Sequence, residues 1–317
     1  MIKLRDAKLD QFSVDMLAHS EKMLDKALAF LTDSYKNVPK TLHHFVPGHV
    51  VLKSVLSNRE MWASHAYDMA DKKELWYCAE LLKERIAAFQ KRLPKSDATI
   101  SEFFEMASDV ANPYTNTYTG NRDVFILSFT EEGNSSHQWE NYAAKSNGYC
   151  LDFEVAHEGW NKWFAEENIT LVRVIYDRDR QIALIDELIQ EQLDFIAESA
   201  KYPNGLFAAM SASVSAVDLL RYYVMAFKQG DPNGMDYSSE NEWRLVYGMR
   251  GIAEHRMPDP LVINTRDDGD AKKRYVKISL DSLQGFVSFN GIRAGKNVEP
   301  IEQNDLERHR AAYFSTR

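Results

Sequence analysis

The stretch from Tyr237 to Tyr247 constrains this chain more than any other. From its fourth residue on, Glu240, Glu242 and Arg244 alternate with Asn241, Trp243, Leu245 and Tyr247. A period of two belongs to a strand with unlike faces, so the spacing predicts that two carboxylates and a guanidinium share one face. A salt-bridged solvated edge and the floor of a polar pocket both fit such a face. The turn-rich segment from Gly230 to Gly234 that leads into it favours the pocket, because loops on rigid strands are where function concentrates.

The totals narrow the class. With 317 residues, 44% of them hydrophobic, the chain can bury a large core. Its 38 Lys and Arg against 47 Asp and Glu leave a net charge of −9, which disfavours a generic nucleic-acid binder. Cys78 and Cys150, far apart in sequence, provide neither a disulfide framework nor a metal-ligand cluster. No stretch reads as a signal peptide or a membrane span, so the expectation is a cytoplasmic protein without membrane contact and with reduced thiols.

Periodicity predicts helices over residues 8–36, 71–93, 100–110, 135–145, 178–200, 207–227 and 302–313. It predicts strands at Thr41–Val46, Glu60–Ser64, Asp123–Phe129, Gly148–Phe153, Ile169–Tyr176, from Glu240 on, and at residues 261–264, 274–278 and 286–289. A short helix follows Pro47 and Gly48, and residues 111–120, rich in Asn, Thr and Tyr, form the expected lid. Strands separated by uneven helical segments point to α+β rather than regular β-α-β winding. The expected organisation is a helical segment, 1–40, on a single α+β domain, 41–317, with helical insertions at about 74–111 and 178–228.

Neither a Walker-type phosphate loop nor a G-x-G-x-x-G run is present, which disfavours a P-loop NTPase or a Rossmann enzyme. Adjacent strand residues face opposite ways, so His43 and His44 cannot both meet one ion without a bulge; one pointing inward is the simpler picture, and no metal is expected. Ser128 and Thr130 put two hydroxyls on one strand face, and Trp139 and Tyr142 lie three apart on a short helix, the spacing of core anchors.

The order of these elements carries more than any one of them. Leu42 to Val46, Met61 to Ser64, Asp71 to Glu74, Ser128 to Thr130, Trp139 to Tyr142, Gly148 to Phe153, Val174 to Tyr176, Lys228 and Glu240 to Arg244 together resemble an uncharacterised bacterial family of domains of unknown function, over about residues 40–300. The chain departs from its pattern at Ala70, Asp71 and Lys72, where Asn and Pro are missing, and at Gln138, where Met is usual. That layout in turn resembles the ADP-ribosyltransferases, with a His or Arg on an early strand, a Ser-x-Ser/Thr element in the middle and a late Glu-x-Glu.

The resemblance implies an ADP-ribosyltransferase-like split mixed or antiparallel sheet core and NAD as substrate. It implies a macromolecular acceptor, protein or nucleic acid, a role as toxin or antiphage effector, and an inhibitor or antitoxin partner. Glu242 would be the carboxylate beneath the developing oxocarbenium and Glu240 the group that orients or deprotonates the acceptor. His44 would hold a ribose hydroxyl, Ser128 and Thr130 would shape the pocket, and Trp139 or Tyr142 would stack on nicotinamide. Arg244 is expected to pair with Glu240 or Glu74. The chemistry agrees, because cleaving the nicotinamide–ribose bond builds positive charge on the sugar, as in glycoside hydrolysis, and a fixed carboxylate stabilises it where it develops. A catalytically silent nucleotide- or protein-binding module and an NAD glycohydrolase are the rival expectations.

Overall fold

The computed structural model describes residues 11–69, 73–92, 100–101, 103–105, 124–156, 169–199, 201–202, 223–230, 237–248, 262–268 and 271–315. The expected lid at 111–120 lies outside them, as does nearly all of the expected helix at 207–227. The fold is mixed α+β, and the chain divides into two compact units.

One unit, Met1–Phe30, Lys73–Arg122 and Asp177–Gln229, is helical among its described residues. It takes most of α1 (Gln11–Lys36), together with α3 (Lys73–Gln90) and α5 (Arg178–Ser199). The first of these is a single unbroken helix. Tyr77 donates its hydroxyl proton to Gln181 at 2.7 Å, Arg85 grips Asp186 through two nitrogens, and the buried His19 lies flat on Phe195 and bonds Gln192.

The other unit, Leu31–Lys72, Asp123–Tyr176 and Gly230–Arg317, holds a curled, wholly antiparallel sheet of nine strands. These are β1 (Thr41–Val46), β2 (Glu60–His65), β3 (Phe125–Thr130), β4 (Tyr149–Val155), β5 (Ile169–Arg173), β6 (Glu242–Tyr247), β7 (Asn264–Asp268), β8 (Ala271–Ser279) and β9 (Val287–Ala294). Helices α2 (His49–Asn58), α4 (Ser136–Asn141) and α6 (Pro300–Ser315) complete it. The strand expected at 261–264 instead begins at Asn264 and pairs with β8, because it is one arm of a charged hairpin without apolar alternation to mark it.

The sheet forks at β3. Strand β6 covers one edge of β3 along its whole length, from the Phe125–Tyr247 pair to the Thr130–Glu242 pair. The other edge is therefore shared: β2 takes Phe125 and Ile126, and β1 takes only Thr130. From there one branch runs β2-β8-β7 and the other β1-β4-β9. Alternation gives the sheet one apolar face. Leu42 and Val46, Leu127 and Phe129, Leu151 and Phe153, and Trp243 and Leu245 share a core with Leu52 and Val55 of α2 and with Leu306 and Tyr313 of α6. Each such side chain removed from water is worth about 1.5–3 kcal/mol, so burial of this face fixes the register of all four strands. No helix among the described residues is long and apolar enough to cross a membrane.

Candidate functional site

Because the other face of β1, β3, β4 and β6 is the polar one, cross-strand pairing assembles a row on it. Asp152 pairs with His43, His43 with Thr130, and Thr130 with Glu242. Directly paired residues in an antiparallel sheet point to the same side, so these four groups from four strands face one region.

At one end of the row, Glu242 is buried, 7% exposed, and Arg244, two residues on, is fully buried. Arg244 Nε donates to Glu242 Oε1 at 2.9 Å and Nη2 donates to Oε2 at 3.0 Å, and Ser128 Oγ donates to Oε1 at 2.8 Å. A bidentate guanidinium and a hydroxyl thus hold the carboxylate in one orientation. Arg244 therefore pairs with Glu242, which was not one of its two expected partners, Glu240 and Glu74; the side chain of Glu74 lies outside the described residues.

Glu240 is not on the strand at all. It closes a 3-10 turn, Tyr237–Glu240, and Asn241 follows in the left-handed region at φ 42° before β6 starts at Glu242. The expected shared face of Glu240, Glu242 and Arg244 shrinks to Glu242 and Arg244, because the turn breaks the alternation one residue before the strand. Asn tolerates this backbone better than most residues, so the sequence is locally consistent with the break. The Glu240 side chain, 3% exposed, accepts from the Tyr142 hydroxyl at 2.8 Å and has His137 Nε2 at 3.7 Å. Its backbone carbonyl accepts from Thr130 Oγ1 at 2.6 Å, which ties turn to row.

His44 lies on the apolar side of β1, paired across the strands with Leu151 and edge-on to Phe129. It occupies the fork, beside the Ser128 carbonyl. Its Nδ1–H donates to that carbonyl at 2.7 Å. Burial lowers the His44 pKa, only partly opposed by this bond, so the neutral ring is favoured. Trp139 packs edge-on against Phe45 beside Ala143 and Cys150, and Tyr142 is 45% exposed with its hydroxyl on Glu240. The structure thus gathers the expected residues into two adjacent hydrogen-bonded groups, Ser128 with Glu242 and Arg244, and Thr130 with Glu240 and Tyr142. It leaves Trp139 in a small apolar cluster and puts His43, rather than His44, on the polar face.

The far end of the row was not anticipated. His43 Nδ1 lies 2.7 Å from Asp152 Oδ1, and Arg293 on β9 reaches the same oxygen through Nη2 at 2.8 Å. Arg293 also donates to the Gly133 carbonyl at 2.9 Å and to Asn134 Oδ1 at 2.8 Å. Burial alone would raise Asp152, but the bonds from His43 and Arg293 and the Arg293 charge outweigh it and bring the carboxyl to about 2. A Cβ on Gly133 would fall 2.2 Å from Arg293 Nη2 and 2.7 Å from His43 Cε1, so a larger residue there would push these side chains from their present positions.

His43, Cys150 and Asp152 place three donor atoms within 4.8 Å of one another, a spacing that could suit a cation. Arg293 Nη2 already stands 3.0, 3.1 and 2.8 Å from them and supplies the positive charge there. Burial raises the Cys150 thiol to about 12, against the pull of Arg293, so it is neither a thiolate ligand nor an activated nucleophile. The sequence signal for this cluster was Asp152 itself, a carboxylate between Leu151 and Phe153 in an apolar strand.

A family described as a protein of unknown function (DUF2971) matches residues 138–245, about a third of the chain. The match runs from Gln138 on α4 to Leu245 on β6. It includes Asp152, Glu240, Glu242 and Arg244 and stops short of His43, Ser128 and Thr130 on its N-terminal side. No curated protein and no solved structure matches the chain.

Proposed function

We propose that the polar face of β1, β3, β4 and β6 takes NAD as substrate. There the nicotinamide–ribose bond breaks, and the ADP-ribosyl group passes to a macromolecular acceptor or to water. The observation that carries this reading is the fixed carboxylate of Glu242, aimed by Ser128 Oγ at 2.8 Å and by both contacting nitrogens of Arg244. Departure of neutral nicotinamide leaves positive charge shared between C1′ and the ring oxygen of the ribose. A carboxylate oriented before the reaction stabilises that charge without reorganising, which is where electrostatic catalysis gains most. The resemblance of the Ser128–Thr130 and Glu240–Glu242 elements to those of ADP-ribosyltransferases supports the same chemistry.

Nicotinamide release from NAD by the purified protein, with and without cell lysate as a source of acceptor, tests the reading. Wild type is expected to release nicotinamide, and Glu242→Gln to lose on the order of 10²-fold or more. Ser128→Ala changes no charge in the buried pair and serves where Glu242→Gln does not fold; it is expected to slow release by about tenfold while NAD still binds. Lysate dependence identifies a transferase, and its lack a glycohydrolase. Wild type that neither releases nicotinamide nor binds NAD by calorimetry would overturn the proposal, and binding without release would leave a silent nucleotide module.

A further inference from the structure

We infer that His43, aligned by Asp152, is the general base that deprotonates the incoming oxygen nucleophile at the Glu242 site. The inference rests on the NAD reading and adds to it a catalytic residue on the polar face of β1.

The first ground is tautomer. Asp152 Oδ1, 2.7 Å from His43 Nδ1, is ionised at neutral pH and can only accept. Arg293 Nη2, 3.0 Å from the same nitrogen, can only donate. Were Nδ1 to accept from Arg293, its lone pair would face the carboxylate lone pairs at 2.7 Å. The stable arrangement is Nδ1–H donating to Asp152, with Arg293 bonded to the carboxylate beside it. The ring lone pair then lies on Nε2, and a carboxylate behind Nδ1 both fixes the ring and stabilises the imidazolium formed when Nε2 takes a proton.

The second ground is access. Nε2 makes no hydrogen bond among the described residues, and the side chain is 15% exposed. The third is placement. His43 and Glu242 each pair with Thr130, from opposite edges of β3. They stand two strand spacings apart, about 9.5 Å between backbones. Both side chains leave the sheet on its polar face, with Thr130 between them.

The step balances without any further reactant. The C1′–N bond breaks and its electron pair leaves with nicotinamide. The acceptor oxygen, a hydroxyl or water, forms the new bond to C1′, and its proton passes to His43 Nε2. The imidazolium, paired with Asp152, returns that proton to solvent.

The test measures nicotinamide release and ADP-ribosyl product for wild type, His43→Ala and His43→Gln, with unfolding midpoints to confirm folding. The alanine variant is also assayed with added imidazole. The expected result is a loss of kcat on the order of 10²–10⁴-fold in both variants with NAD affinity retained, and partial rescue of His43→Ala, but not of wild type, by imidazole. A structural role for His43 would give no such rescue. Asp152→Asn, which removes the ionised partner, should lower kcat without lowering NAD affinity. Should wild type release nicotinamide while the folded His43 variants keep its rate, or lose it without rescue, this inference fails and the NAD reading stands. Should wild type neither release nicotinamide nor bind NAD, both fall together.

Discussion

Arg244 and Glu242 show how one residue pair can serve both fold and site. Both are buried, with Arg244 fully so, and each is the other's ion partner across two residues of one strand. Removing one partner takes from the other its bidentate contact in the interior, which costs up to about 3–5 kcal/mol, whereas replacing both with apolar groups of similar volume is often neutral or stabilising. Glu242→Gln is therefore expected to lower the urea midpoint of the sheet unit, and the double change Glu242→Leu with Arg244→Met to recover most or all of it. Urea titration of the three proteins checks this, and a double variant less stable than Glu242→Gln would refute the argument. The double variant should also be devoid of NAD chemistry, which separates what the pair does for stability from what its carboxylate does for function. His43 and His44 give the complementary lesson about legibility. Parity in the sequence shows that they face opposite ways, but not which way, since the flanking Leu42 and Phe45 are both apolar. Only the pairing of His43 with Thr130 and of His44 with Leu151 assigns the faces.

Most elements were legible because burial imposes period. Strands β1, β2, β3, β4 and β6 lie within a few residues of where alternation puts them, and α1 and α5 follow their apolar spacing. What escaped were places where backbone geometry overrides pattern. Glu240 and Asn241 scan as strand yet precede it, Glu240 closing a turn, and the helix expected over 135–145 stops at Asn141. After it, Ala144, Lys145 and Ser146 have φ of 45°, 57° and 66°, three consecutive left-handed residues, none of them glycine. Such a conformation costs roughly 1–2 kcal/mol per residue. Surrounding bonds hold it: Ser146 N–H donates to the Trp139 carbonyl at 3.0 Å, Asn297 N–H to the Ser146 carbonyl at 3.1 Å, and Asn297 Nδ2 to the Lys145 carbonyl at 2.9 Å. This segment links α4, which carries Trp139, to Gly148 and β4, which carries Asp152. Lys145 is exposed, so Lys145→Gly relieves strain without removing a buried contact. The expected outcome is a gain of about 1 kcal/mol in unfolding free energy with the site unchanged. Destabilisation in thermal or urea unfolding would show that the left-handed turn is not strained in this protein.

At the scale of the molecule, the sheet unit draws its site from segments scattered along the chain: β1 near residue 43, β3 near 128, β4 at 152, β6 at 242 and β9 at 293. No local motif could disclose a row assembled by register. Because the same row is charged and buried, folding of this unit must be linked to pH. Asp152 has a carboxyl near 2 in the folded state against about 3.9 when unfolded. The folded state thus binds fewer protons than the unfolded one between those values, and stability rises with pH there. The contribution is complete above about pH 5, on the order of 2 kcal/mol, and is lost as pH falls through about 4 towards 2. His44 acts in the same direction at higher pH. Burial lowers its pKa in the fold, so its contribution is full above the unfolded value of about 6.5 and declines as pH drops below it. Two compact units need not unfold in one step, so the measurement should follow amide signals of β1 and β4 through urea titrations at each pH. Asp152→Asn is expected to lower their midpoint at pH 6 and to converge with wild type by about pH 2, while the decline between pH 7 and 5 persists in both. His44→Gln should remove that decline and leave the acid limb intact, since one histidine sits in the fork and the other residue at the far end of the row. Parallel curves for wild type and Asp152→Asn down to pH 2 would mean that the His43 and Arg293 bonds do not hold the carboxylate in solution. The alignment of His43 would then lose its physical basis, so the acid limb tests the site independently of any substrate.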